Sequence, residues 1–312
     1  MYPESPSEGN RWPRRRAGGN LAALRGPCNS PRVKIGLFGI NFGLAANVET
    51  MLGLARAAEQ AGLDSVWTGE HVVLPSPRVP PSPAEPETPM LDPAVALAYV
   101  AAETTRIRLG TGVIILPQRN PIVLAKELAS VDVVSRGRLI FGLGSGYLEP
   151  EFRAIGAPFS QRGAVTDEAI RVLKALWTME RPAFEGRFFR FAGIDAHPRP
   201  VQRPHPPIVV GGMSEFGARR AARFGNGWYG FLTDLDATRR SLGWIRGFIA
   251  EGLRPPDLGD VEISVTPPPP VTADSVKQYE DLGVHRLIPV LRARTLDDGL
   301  RQVEQLGKLV AG

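Results

Sequence analysis

From residue 33 onward the apolar residues of this chain fall into two kinds of stretch that take turns. Short runs rich in Val, Ile, Leu and Phe mark buried strands, and longer segments with apolar residues three and four apart mark helices. The runs at 33–40, 63–68, 107–116, 138–143, 207–210, 227–232, 261–265 and 287–290 predict strands. Helical patterns follow them at 48–61, 93–104, 121–134, 164–179, 214–224, 236–250, 272–282 and 296–310. Local signals mark helix ends: Asp92 is an N-cap ahead of Pro93, Ser214 caps its helix, and Gly62 and Gly137 lie just past helices. Eight βα units in one chain predict an α/β fold, a (β/α)8 TIM barrel with insertions spanning residues 33–312.

Two stretches exceed a minimal barrel. Residues 74–90 hold seven prolines and no periodicity, which predicts a long loop after the second strand. Residues 180–206 contain Phe184-Glu185-Gly186-Arg187-Phe188-Phe189, a hairpin signal turning at Glu-Gly. Long loops in a compact domain are usually lids or binding segments.

Composition narrows the classes. At 43% hydrophobic and 22% charged residues, the 312-residue chain has the make-up of a globular protein. No apolar stretch approaches the roughly 18 residues of a membrane helix. The single Cys28 excludes an internal disulfide framework and fits a cytoplasmic location. The net charge of +5 suggests nucleic acid until it is located: residues 1–32 carry six Arg against Glu4 and Glu8, or +4, which leaves about +1 for the rest. No basic face for a phosphate backbone remains. The segment 1–32 also lacks the apolar core of a secretory signal and is expected to be a disordered extension or an overlong gene start.

In a barrel the chemistry lies at the C-terminal ends of the strands. The second strand ends in Thr68-Gly69-Glu70-His71, and the third passes through Thr111-Gly112-Val113. The fourth ends in Gly144-Ser145-Gly146-Tyr147, and the fifth in Gly211-Gly212-Met213 ahead of the Ser214 helix. Two glycines before a helix expose N–H groups where the helix dipole favours an anion, which makes phosphate the natural ligand. Gly142, Gly144 and Gly146 fail the dinucleotide fingerprint in either register and fit a bare backbone surface for a flat ring or phosphate chain. His71 is the histidine at this face, a candidate general acid/base that Glu70 would orient or tune. The scattered histidines argue against a metal site. The five lysines sit in helices or, for Lys34, at the far end of the barrel, which disfavours a Schiff-base nucleophile.

Together these marks resemble the luciferase-like monooxygenase superfamily, which holds bacterial luciferase and the deazaflavin (coenzyme F-420)-dependent oxidoreductases. The resemblance covers about residues 33–290. It is carried by the segments 57–67, Glu70-His71, 109–113 with Leu116-Pro117, 125–132, 144–146, 206–208 with Gly211-Gly212, and 220–228. It implies a flavin or deazaflavin across the barrel mouth and a non-proline cis peptide near Gly112-Val113. By matching position, Thr111, Gly112, Val113, Gly144, Ser145, Gly146, Gly211, Gly212 and Met213 would line or hold the cofactor, and His71 with Glu70 would be catalytic. The sugar-phosphate dehydrogenases of the superfamily carry a glutamate after Gly-x-Gly, where this chain has Tyr147, so a sugar phosphate is a poor expectation. The resemblance implies hydride transfer between coenzyme F-420 and a small organic substrate in a homodimer, without nucleic-acid or membrane partners. An FMN-dependent monooxygenase and a non-catalytic cofactor-binding barrel are the competing readings.

Overall fold

Eight parallel strands close on themselves: β1 (Lys34–Phe38), β2 (Ser65–Thr68), β3 (Arg108–Thr111), β4 (Leu139–Gly144), β5 (Ile208–Gly211), β6 (Gly227–Phe231), β7 (Glu262–Thr266) and β8 (Arg286–Leu287). Each pairs with its successor, and β8 returns to β1 through Lys34–Arg286 and Ile35–Leu287. This is the (β/α)8 barrel that the alternating runs predict. The computed structural model describes residues 33–311. The expectations for the basic segment 1–32 and for Cys28 lie outside the described residues.

Among the described residues the helices are α1 (Val48–Gln60), α2 (Pro93–Glu103), α3 (Pro121–Val134), α4 (Glu149–Ile155), α5 (Arg162–Thr178), α6 (Glu215–Phe224), α7 (Leu235–Ala250), α8 (Ala273–Asp281) and α9 (Leu296–Ala311). Caps fix several starts: Asp92 accepts from the N–H groups of Ala94 and Val95, and the Ser214 hydroxyl accepts from Gly217. The hairpin forms with Phe184–Glu185 antiparallel to Arg190–Phe191. No helix among the described residues is long and apolar enough to cross a membrane.

Most of the apolar core lies between the strands and the helix ring, while a second cluster fills the barrel with Phe38, Trp67, Ile140, Val209, Tyr229 and Ile288. Trp67 and Tyr229 stack there with centroids 5.6 Å apart. Nearer the N-terminal ends of the strands, Arg286 is 1% exposed and pairs with Asp64 and Glu262, so its buried charge is compensated. The barrel is thus plugged by polar pairs at that end.

Two strand expectations change. The run 107–116 is not one strand: β3 ends at Thr111, the Gly112–Val113 peptide is cis, as the resemblance implies, and Ile114–Ile115 pairs separately with Leu143–Gly144. The eighth strand is shorter than 287–290 because Pro289 has no N–H to give the ladder; its carbonyl still accepts from Phe38 at 2.8 Å.

Gly110 is where Trp67 sets the sequence of β3, since a Cβ there would overlap the indole. Gly110→Ala is expected to cost about 1–3 kcal/mol by overpacking. Urea denaturation checks this, and an unchanged midpoint would show that the Trp67 ring has somewhere to go.

Candidate active site

The open end of the barrel is a cavity of about 1460 Å³. Its floor is built around Val113, where the chain turns away from β3. The Val113 methyls fill space that Cβ atoms would need on two neighbouring strands: one at Gly144 would lie 2.8 Å from Cγ2, and one at Gly211 would lie 2.9 Å from Cγ1. Gly146, at φ +73°, is pressed by Phe152 and Ile115 within 2.7 Å of where its Cβ would be. Phe38, Phe42, Tyr229 and Phe231 supply aromatic wall.

Beyond β5 the chain makes a tight turn into α6. Gly212 adopts φ +141°, and its carbonyl accepts from the Trp228 indole at 2.8 Å. Gly217 lets the helix sit against this turn, because a Cβ there would come 2.9 Å from the Gly212 oxygen. The N–H groups of Met213 and Ser214 meet no acceptor among the described residues. Free N–H groups at the start of a ten-residue helix are the geometry that suits an anion.

On the β2 side lies a chain of polar contacts. His71 Nδ1 is 3.0 Å from Glu151 Oε2, and His71 Nε2 is 3.3 Å from the Tyr147 hydroxyl. Glu151, on α4, is fully buried at its side chain and accepts from the Val72 N–H at 2.6 Å with its other oxygen. A carboxylate beside Nδ1 selects the tautomer with the proton there, which leaves Nε2 to accept from Tyr147. Burial works to raise the Glu151 carboxyl, but the hydrogen bonds from His71 and the Val72 N–H outweigh it and hold the group below its ordinary value. Burial, aided by the Glu151 charge, pushes the Tyr147 phenol up, so it stays protonated at neutral pH.

Of the residues singled out from the sequence, His71, Glu70, Gly112, Val113, Gly144, Ser145, Gly146, Gly211, Gly212 and Met213 converge on this cavity. Two expectations are corrected. Thr111 does not line it: its hydroxyl is spent on the N–H and carbonyl of Gly142, in the ladder below the floor. Glu70 does not orient His71. Adjacent residues in extended chain point opposite ways, and Glu70 turns instead to Arg119, whose Nε lies 3.0 Å from it, and to the Ile115 N–H at 2.5 Å. Burial pushes the Glu70 carboxyl up against the pull of Arg119.

The residues that sequence reading missed are Glu151, Asn41 and Gly217. Glu151 lies on a short helix inside what reads as a loop, though Pro150 in its first turn and Gly156 past its end were signals for it. Asn41 is fully buried and clasps both ends of the proline-rich loop, bonding Gly69 through its N–H and carbonyl and reaching the Leu91 carbonyl at 2.7 Å.

Comparison with known proteins places this geometry in context. Residues 35–304 match the family model described as luciferase-like monooxygenase. An uncharacterized protein of Mycobacterium tuberculosis (strain H37Rv), Rv0953c, is 31% identical over 271 residues, covering 84% of this chain and 94% of its own. An FMNH2-dependent dimethylsulfone monooxygenase of Pseudomonas putida is 40% identical over 113 residues, 35% of this chain and 31% of its own. Among solved structures, an F420-dependent secondary alcohol dehydrogenase superposes with a TM-score of 0.72 at 16% identity, over 89% of this chain and 99% of that one. At that identity the likeness speaks for the fold.

The lowered Glu151 carboxyl has a consequence for stability. A carboxylate lowered by folding contributes stability that is fully present above its unfolded value and is lost as pH falls through the folded value. Below the ordinary value of 4.5, the urea midpoint of the wild type should therefore fall more steeply than that of Glu151→Gln. Parallel acid limbs would mean that the carboxylate gains nothing from folding.

Proposed function

The chain belongs to the luciferase-like monooxygenase family, and from that premise we propose that it is a deazaflavin-dependent oxidoreductase exchanging a hydride with a small organic substrate. The observation that carries this reading is the placing of a proton-handling pair, His71 and Tyr147, on the same cavity as the backbone cradle at 211–214. Hydride transfer to or from a carbon bearing oxygen or nitrogen needs such a proton partner.

The residues present suit the group. Met213, with Ser214 beside it, would hold its phosphate through main-chain N–H groups, while Gly211 and Gly212 would leave the turn bare enough for it to approach, and a Cβ at Gly217 would close the turn. Gly112, Val113, Gly144, Ser145 and Gly146 would offer a side-chain-poor surface to the flat ring. Bound coenzyme F-420 would supply a two-electron hydride carrier. The chain's part is to orient substrate against that ring, exclude water, and hold a proton at His71. Glu70 enters as support: through Arg119 and the Ile115 N–H it fixes the segment that carries Val113.

The local match to the dimethylsulfone enzyme favours a second reading, FMN with oxygen as co-substrate. Absorbance titrations with oxidised and reduced F-420 beside FMN separate the two. Saturable F-420 binding is expected; FMN binding alone would move the assignment to the monooxygenase reading, and binding of neither would overturn both.

His71→Ala should retain cofactor affinity and lose about 10²–10⁴-fold in turnover. Unchanged turnover on the substrate found would remove His71 from the chemistry.

The homodimer belongs to the same reading. Val95 and Tyr99 on α2 and Val123 and Val134 on α3 are exposed apolar side chains on adjacent helices, a surface suited to a second copy. Light scattering should give twice the chain mass, and a monomer at micromolar concentration would remove the dimer.

A further inference from the structure

His71 does not reach the cavity alone. Its ring is 9% exposed at the side chain, packed edge-on to Tyr147 with centroids 5.8 Å apart. Tyr147, at 49% exposure, is the more open of the two and also lines the cavity. Behind the ring, the buried Glu151 carboxylate divides its oxygens: one takes the His71 Nδ1 contact, and the other takes the Val72 N–H and, at 3.4 Å, the Val73 N–H. The carboxylate therefore fixes both the imidazole and the backbone that carries it. The main-chain N–H of His71 points at the Met90 sulfur, 3.0 Å away, so the residue is held from a second side. Carboxylate, imidazole and phenol thus stand in line, and the phenol is the group nearest solvent.

We propose that Glu151, His71 and Tyr147 form a proton relay whose outlet is the Tyr147 hydroxyl, serving a substrate that exchanges a hydroxyl for a carbonyl. The proposal rests on the hydride-transfer reading above. In the oxidative direction the substrate O–H bond breaks as Tyr147 Oη takes its proton, and the proton Tyr147 already held passes to His71 Nε2. The hydrogen on the substrate carbon would leave with its electron pair as the C=O bond forms, and a bound deazaflavin would supply the two-electron acceptor for it. His71 is left as imidazolium beside the Glu151 carboxylate, which stabilises that charge. Reduction of a carbonyl runs the same transfers backwards. Tyr147 is the group that meets substrate; Glu151 acts through His71 and is a positioning residue.

Imidazole nitrogen NMR on the ¹⁵N-labelled full chain tests this without cofactor or substrate. The chain has four histidines, so a spectrum of His71→Ala assigns the ring by subtraction. In the wild type, His71 is expected to carry its proton on Nδ1 with Nε2 bare and hydrogen-bonded. Tyr147→Phe, which removes one half-exposed hydroxyl, should shift the His71 Nε2 resonance and leave the other rings in place. Glu151→Gln should erode the preference for the Nδ1 proton, whereas a role confined to tethering Val72 would leave the tautomer unchanged. A proton on Nε2 in the wild type, or an Nε2 resonance indifferent to Tyr147→Phe, overturns the relay. Because the readout needs no cofactor, failure here leaves the cofactor assignment standing, and failure of the cofactor titration leaves the tautomer result standing.

Discussion

Val113 sits where three strands would otherwise meet side chain to side chain. Its methyls take the space that Cβ atoms at Gly144 and Gly211 would fill, so the ends of β4 and β5 are obliged to be bare. Below it, Gly142 is pressed so closely on the Thr111 carbonyl that no other residue fits. The whole floor follows from one aliphatic side chain entering the barrel mouth after β3 stops. Glu70 holds that entry in place by accepting the Ile115 N–H, and Arg119 in turn holds Glu70. A cavity with a side-chain-poor floor and aromatic walls is the result.

Elsewhere in the barrel, carboxylates tie irregular backbone to the frame. Glu59 gathers the N–H groups of Thr105, Arg106 and Ile107; Glu168 those of Arg187, Phe188 and Phe189; Asp132 those of Val201 and Gln202. Each gathers several loop donors onto one side chain. Glu151 belongs to this set through Val72, and it differs in one respect: its second oxygen faces a titratable ring at the cavity wall.

The barrel was legible because strand and helix periods alternate without a gap long enough to confuse them, and because caps such as Asp92 and Ser214 work locally. The cavity was legible for a related reason: strand ends are fixed once strands are placed, so glycines and His71 at those ends had to converge. Side-chain direction was not legible to the same degree. Glu70 and His71 are neighbours in sequence and face different partners, and Thr111 falls on the parity that points into the ladder. The partner that His71 does have is 80 positions away, on a seven-residue helix that apolar periodicity is too short to reveal. Contacts of that kind depend on how a loop folds back over the barrel, which local pattern does not encode.

Asn41 ties Gly69 and Leu91 to the same side chain, so the proline-rich segment between them leaves and rejoins the barrel at a single anchor. Pro83, Ala84 and Met90 from that segment form part of the cavity wall. Closing a longer loop costs only about 0.6 kcal/mol for each doubling of its length. With both ends clasped, the middle of the segment, between His71 and its Met90 contact, can change length while the floor beneath it keeps its shape. Sequence change in that span would redraw the cavity wall while the residues at its two ends stay where Asn41 holds them.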